Sequence, residues 1–214
     1  INPLAISNGK ASALDARIII DKNYDATDRS PYPHLIITPY PTKYTTPWQL
    51  SDGTEVLLRA IRPEDEPAEH EMLSSLSQET LRTRFFSVIK DMSHEWLILF
   101  CNIDYDRHMA IVAEVRENGK SRMIGVARLI MDQDLTSGEV AVLVQDRFQG
   151  KRLGSKLVEM LIRIARERGL EDIRADVLTE NERMLNVLRR LGFTTHWVPG
   201  GTSKALLKLK GHFK

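Results

Sequence analysis

The chain has 214 residues, 42% apolar and 28% charged, with a formal net charge of +1 at pH 7. That composition suits one sizeable globular domain with an appendage. It excludes a global basic field for nucleic acid or an anionic membrane, and the longest apolar run, Trp96 to Cys101, is too short to span a bilayer.

No signal peptide is visible, and the single cysteine, Cys101, has no partner for an internal disulfide and sits in that apolar run, so a buried, inert thiol in a cytoplasmic protein is expected. The chain opens on Ile1 rather than Met, which reads as a beginning cut from something longer. Residues 1–22 carry a turn at Asn8-Gly9 and a strand-like "SALDARIII". Residues 23–47 hold five prolines, which favour extended backbone, and "HLIIT" within them suits an edge strand.

From Trp48 the pattern turns regular. "WQLSDGTEVLLRAIR" reads as a hairpin turning at Asp52-Gly53. Pro63 to Asp65 starts a helix, with proline early and acids in the first turn. A second helix covers "SQETLRTRFF", with Ser77 and Thr80 as a partial cap, and a third, "HEWLILFCNI", comes after Ser93. Then come the strands "HMAIVAEVR", "MIGVARLIMD" and "GEVAVLVQ", with a turn at Asn118-Gly119. A helix begins near Leu153, because Leu153, Leu157, Leu161, Ile164 and Ala165 recur at helical spacing. The strand "DIRADVL", the helix "NERMLNVLRRL" and the strands "FTTHWVP" and "KALLKLK" complete the chain. The whole is an α/β (α+β) chain with a mixed, mostly antiparallel sheet flanked by helices.

One stretch carries chemistry. "VQDRFQGKRLGSKLVEML" crowds Gln149, Gly150, Lys151, Arg152, Gly154 and Ser155 at a helix entrance. Such an entrance leaves backbone N–H groups unpaired at the positive end of the helix dipole, which suits an anion, phosphate above all. Neither the P-loop spelling nor the dinucleotide fingerprint is present, so the loop alone also fits a solvated surface turn. The six histidines show no metal-ligand spacing, and no metal is expected.

Together, "GEVAVLVQDRFQGKRLGSKLVEML" and "LTENERMLNVLRRLGF" resemble the acetyl-CoA site of the GNAT N-acetyltransferases. Gln149, Gly154, Asn181, Gly192 and Phe193 match the family pattern, whereas position 152, usually Gly, is Arg. A left-handed backbone there would be strained. "LLRAIRPEDE", "LRTRFFS" and "NIDYDRHMAIVAE" resemble the bacterial protein lysine acetyltransferases of the Pat family, and "INPLAISNGKASALDARI" resembles the end of the ATP-grasp part of NDP-forming acyl-CoA synthetases. The resemblance implies a synthetase remnant and Pro-rich linker over residues 1–47 and a GNAT domain over residues 48–214.

The same resemblance implies how the site would be built. The strand Glu139–Val144 should part from Ile173–Leu178, and the backbone of Val142, Leu143 and Val144 should pair with pantetheine as though it were another strand. A backbone N–H near Val142 or Leu143 would polarise the thioester carbonyl and stabilise its oxyanion, an effect of about 3 kcal/mol. The amides of Gln149, Gly150, Lys151, Arg152, Leu153, Gly154 and Ser155 would hold the CoA phosphates, with the Lys151 and Arg152 side chains as further candidates. Asn181 would bond pantetheine or cap its helix. A lysine with pKa of about 10.4 is neutral in only about one molecule in a few thousand at pH 7, a deficit of roughly 4.6 kcal/mol, so the site needs a base. Glu139 stands where the family places one. Leu188 occupies the position of the usual tyrosine acid, and a thiolate leaves tolerably without one. Tyr105 and His108 are site neighbours or turn residues.

The expected activity is acetyl-CoA-dependent acetylation of an exposed protein lysine, with acyl-CoA synthetase-like enzymes and the rest of a parent chain as partners, and neither nucleic acid nor membrane. The alternatives are a small-amine acetyltransferase and a non-catalytic acyl-CoA sensor.

Overall fold

A computed structural model describes residues 4–13, 39–86, 93–117 and 119–209. The chain divides into two compact units, Ile1–Leu35 and Ile36–Lys214. In the first, strands β1 (Leu4–Ser7) and β2 (Lys10–Ala13) form an antiparallel hairpin. Its turn residues Asn8 and Gly9 both have positive φ, 50° and 72°, as a two-residue hairpin loop requires. The remainder of "SALDARIII" past Ala13, and "HLIIT", lie outside the described residues.

The second unit is built on one sheet of eight strands. These are β3 (Thr46–Gln49), β4 (Glu55–Ala60), β5 (His108–Glu117), β6 (Lys120–Met131), β7 (Ser137–Val144), β8 (Asp172–Leu178), β9 (Thr194–Val198) and β10 (Thr202–Lys208). Their order across the sheet is β3-β4-β5-β6-β7-β8-β10-β9, and among these described strands only β7 and β8 run parallel. Strand β3 straddles the boundary expected between residues 47 and 48.

Among the described residues, five α-helices cover the sheet: α1 (Glu66–Ser74), α2 (Gln78–Phe85), α3 (His94–Cys101), α4 (Leu153–Glu167) and α5 (Glu182–Arg190). Strand alternation sorts the core into two layers. Met109, Ile111 and Ala113 of β5 pack with Leu157, Leu161 and Ile164 of α4. Ala110 and Val112 pack instead with Met72 of α1, Leu81 of α2 and Leu97 of α3. Ser77 and Ser93 cap α2 and α3, accepting from the N–H groups of Thr80 and Trp96. Pro63–Asp65 forms a 3-10 turn that leads into α1.

Buried ions lock the α1–α3 layer onto the sheet. Arg59 grips Asp65 through two bonds of 2.6 and 2.7 Å and reaches Glu114 at 2.8 Å. Arg128 meets the buried Glu69, whose other oxygen accepts from the Cys101 thiol at 3.1 Å. Burial, with Glu69 beside it, pushes the Cys101 thiol well above its usual pKa, so the thiol is inert as expected.

Candidate active site

The two parallel strands touch only briefly. β7 and β8 pair at Ser137–Asp172, Gly138–Ile173 and Glu139–Arg174, and then part. Beyond that vertex β7 stays on β6 as far as Val144, while β8 stays on β10. Gly138 permits the close start: a Cβ there would lie 2.9 Å from Leu129 Cδ1 and 3.1 Å from the Ile130 carbonyl.

Hydrogen-bond alternation decides which residues face the wedge. Asp132 N–H donates to Ser137 C=O and Gln145 N–H to Ile124 C=O, so the odd-numbered residues of β7 serve β6. Glu171 N–H donates to Thr136 C=O, so the even-numbered ones turn toward β8. Past the vertex, Val140, Val142 and Val144 therefore point their polar groups into the wedge. Leu143 turns its own toward β6, so between the two candidates named for the carbonyl-polarising N–H, strand geometry selects Val142. The Val144 C=O accepts from Gln149 Nε2 at 3.1 Å, which leaves its N–H for the wedge.

At the open end the chain turns through Asp146–Phe148 into α4. Gly150 and Arg152 both have positive φ, 76° and 66°. The left-handed conformation costs a non-glycine residue about 1–2 kcal/mol, so Arg152 does carry the strain that a family glycine avoids. The first bond of α4 runs from Lys156 N–H to Arg152 C=O, and the N–H groups of Leu153, Gly154 and Ser155 lack intrahelical acceptors. A Cβ on Gly154 would touch only Val144 Cγ2, at 3.9 Å, so packing does not demand glycine there. What the glycine preserves is open space between the first turn of α4 and the end of β7. Phosphate oxygens fit that space and those donors.

The charged side chains of the loop are placed differently from the amides. Lys151 Nζ binds Asp52 of the β3–β4 turn at 2.7 Å and lies 4.9 Å from the Phe148 ring centre. Lys151, with Thr54, holds the Asp52 carboxyl down to about 2. The Gln149 amide also donates to Thr80 Oγ1 at 3.1 Å, and the Arg152 side chain is exposed. Asn181 caps α5, accepting from Met184 N–H at 3.1 Å, which is one of its two expected roles.

Helix α2 spans the mouth of the wedge. At its start, Ser77 N–H and Oγ and Thr80 Oγ1 all donate to Asp146, just past the tip of β7, at 3.0, 2.7 and 2.7 Å. Burial works against the Asp146 charge, but these donors outweigh it and hold the carboxyl below its usual range. On the other arm, Arg82 pairs with Glu180, just past β8. None of Asp146, Arg82 or Glu180 carries a signal in the sequence beyond the partial cap at Ser77.

At the vertex stands Glu139, exposed and with no hydrogen bond or ion pair to any described residue. Pairing registers set His108, Ile130, Glu139 and Arg174 side by side across four strands on the α1–α3 face. Arg174 is held by two bonds of 2.7 Å to Asp132. Burial, opposed by Asp104, keeps His108 below its usual pKa, and its ring has no bonded partner among the described residues. Tyr105 is a packing residue: its hydroxyl donates to Ile61 C=O at 2.7 Å and its ring meets that of Tyr40 edge-on. Leu188 is fully buried in the core and supplies no acid. No group of His, Cys, Asp and Glu able to hold a metal occurs among the described residues.

Residues 74–193 match the Acetyltransferase (GNAT) family. "Acetyltransferase PA5475" of Pseudomonas aeruginosa is 32% identical over 160 residues, covering 75% of this chain and 86% of that protein. "Acetyltransferase Pat" of Mycolicibacterium smegmatis is also 32% identical, over 187 residues and 86% of this chain; the match spans 54% of that longer protein. The crystal structure of the GNAT domain of S. lividans PAT superposes with a TM-score of 0.72 at 26% identity, covering 79% of this chain and 99% of that domain.

Proposed function

The chain belongs to the GNAT family and is an acetyl-CoA-dependent N-acetyltransferase, and from that premise we propose that it acetylates lysine side chains of proteins, with Glu139 as general base. The observation that carries the reading is the Glu139 carboxylate at the vertex of the wedge, with no hydrogen bond or ion pair among the described residues. Likeness to Pat acetyltransferases supports a protein acceptor, and AMP-forming acyl-CoA synthetases are the targets we favour.

Each part of the site has a task. The amides of residues 153–155 receive the phosphates of CoA, and the open wedge edge of β7 takes the pantetheine chain. Acetyl-CoA supplies an activated acyl carbon next to the vertex. The Val142 N–H then donates to the carbonyl oxygen as negative charge grows there. Glu139, directly or through water, takes the proton that the lysine must lose before it can attack. No side chain is assigned to protonate the sulfur.

The test is incubation of the protein with acetyl-CoA and an AMP-forming acyl-CoA synthetase, followed by peptide mass analysis. Acetylation of one lysine, dependent on both enzyme and acetyl-CoA, is expected. Turnover with polyamines or free amino acids but with no protein lysine would overturn the protein-acceptor reading.

A further inference from the structure

The eight-stranded sheet ends on two strands of opposite character. Strand β3 carries Pro47, which has no N–H to offer a further strand and so blunts that edge. Strand β9 reads Thr-Thr-His-Trp-Val, rich in β-branched and aromatic residues, with no proline, lysine or acid. Its register to β10 runs without a bulge, and Trp197 stands on it 62% exposed. An edge with none of the usual guards is a template for another strand.

Hydrogen-bond alternation shows which groups that edge offers. Leu209 N–H donates to Glu171 C=O at 2.7 Å and Thr179 N–H to Gly201 C=O at 2.9 Å, so the odd-numbered residues of β10 serve β8. Its even-numbered ones, Thr202, Lys204 and Leu206, serve Val198, His196 and Thr194 of β9. Thr195 and Trp197 therefore turn their N–H and C=O groups away from the sheet, where neither has a backbone partner among the described residues. On the face covered by α5, Thr195 Oγ1 accepts from Arg189 Nε at 3.0 Å, which pins that guanidinium beside the edge.

We propose that this edge is a homodimer interface, in which β9 pairs antiparallel with β9 of a second copy about a twofold axis at His196. The pattern is self-complementary. Thr195 lies opposite Trp197 of the second copy and Trp197 opposite its Thr195, each pair exchanging two bonds, and no outward group is left over. The same register sets each exposed indole against the threonine that holds Arg189, so ring and guanidinium meet as a cation–π pair. A copy of this chain brings that cation by symmetry; an unrelated strand does not. Five residues of strand bury too little for an obligate interface, so the dimer is weak and depends on concentration. Strands β10 and β8 stand between this edge and β7, and pairing leaves the wedge open.

The experiment is sedimentation velocity of the chain from about 1 to 500 μM, where the mean mass should climb from one chain toward two with half assembly at about 10–100 μM. Thr195→Pro removes only an outward N–H, and Trp197→Lys puts a charge on the edge. Each should raise the dissociation constant at least about tenfold with acetyl-CoA affinity unchanged, and the lysine variant covers the case in which the proline variant fails to fold. Cysteines read the register. Under mild oxidant His196→Cys should give a disulfide-linked dimer, because the axis sets its two Cα atoms about 4.5 Å apart. Thr194→Cys should not, its copies lying about 14 Å apart. Cys101 is buried, so the wild-type chain serves as the blank. A chain that stays monomeric throughout, a dimer equally tight in both edge variants, or equal cross-linking by the two cysteine variants overturns the proposal.

Discussion

The two halves of the site are made of different material. Toward α4 the donors are main chain: the wedge edge of β7 and the first amides of the helix, while Lys151 is engaged with Asp52. Toward α1–α3 the proposed working group is a side chain, with Glu139 set among paired ions. A site built from backbone tolerates side-chain truncation and suffers from added atoms. A site built from side chains behaves the opposite way.

The largest expected effect comes from that contrast. Glu139→Ala should lower kcat at pH 7 by about 10²–10⁴-fold, while the acetyl-CoA Kd measured by calorimetry stays within about twofold because β7 keeps its backbone. As pH rises toward the lysine pKa of about 10.4, the acceptor sheds its own proton and the gap between variant and wild type should narrow. A variant that keeps the full rate from about pH 6 to 9 would remove Glu139 from the mechanism.

Next comes an addition on the backbone side. Gly154→Asp should weaken acetyl-CoA about 10- to 100-fold by placing a carboxylate at the proposed phosphate site. Yet it should leave folding intact, because the new Cβ meets only Val144 Cγ2 at 3.9 Å. A carboxylate in a first helical turn adds about 0.3–1 kcal/mol, so urea midpoints should hold or rise while affinity falls. Unchanged affinity would move the phosphates elsewhere.

The smallest effect tests the helix that joins the halves. Asp146→Asn should cost about 0.5–1 kcal/mol at neutral pH, a modest figure because the carboxylate is exposed and screened. The folded pKa of Asp146 is depressed, so its contribution is complete above the unfolded value of about 3.9 and is lost as pH falls through the folded one. Wild type and variant should therefore converge in urea midpoint on acidification. Divergence on acidification would contradict the assigned bonds.

Legibility in the sequence divides along the same line. The proposed phosphate entrance shows in its spelling because main-chain sites depend on turns and helix starts, which are local. Leu153, Leu157, Leu161, Ile164 and Ala165 are all buried, as their spacing predicts. The Asn8-Gly9 turn and the caps at Ser77 and Ser93 are equally local. The parting of β7 and β8 is expected from family resemblance, not from the residues alone. Ser77 and Asp146, by contrast, lie 69 positions apart and Arg82 and Glu180 lie 98 apart, distances over which no periodicity reports. The strained Arg152 shows the limit of spelling, since the backbone adopts the glycine conformation without the glycine.

Helix α2 is fastened at one end to the tip of β7 and at the other to the tip of β8. A strut joined to both jaws cannot stay indifferent to how far they open. Any change in that opening on acetyl-CoA binding would load both fastenings of the same short helix, so thioester binding and the hold of α2 should report on each other. Reciprocity then requires that the factor by which one tightens the other be identical in both directions.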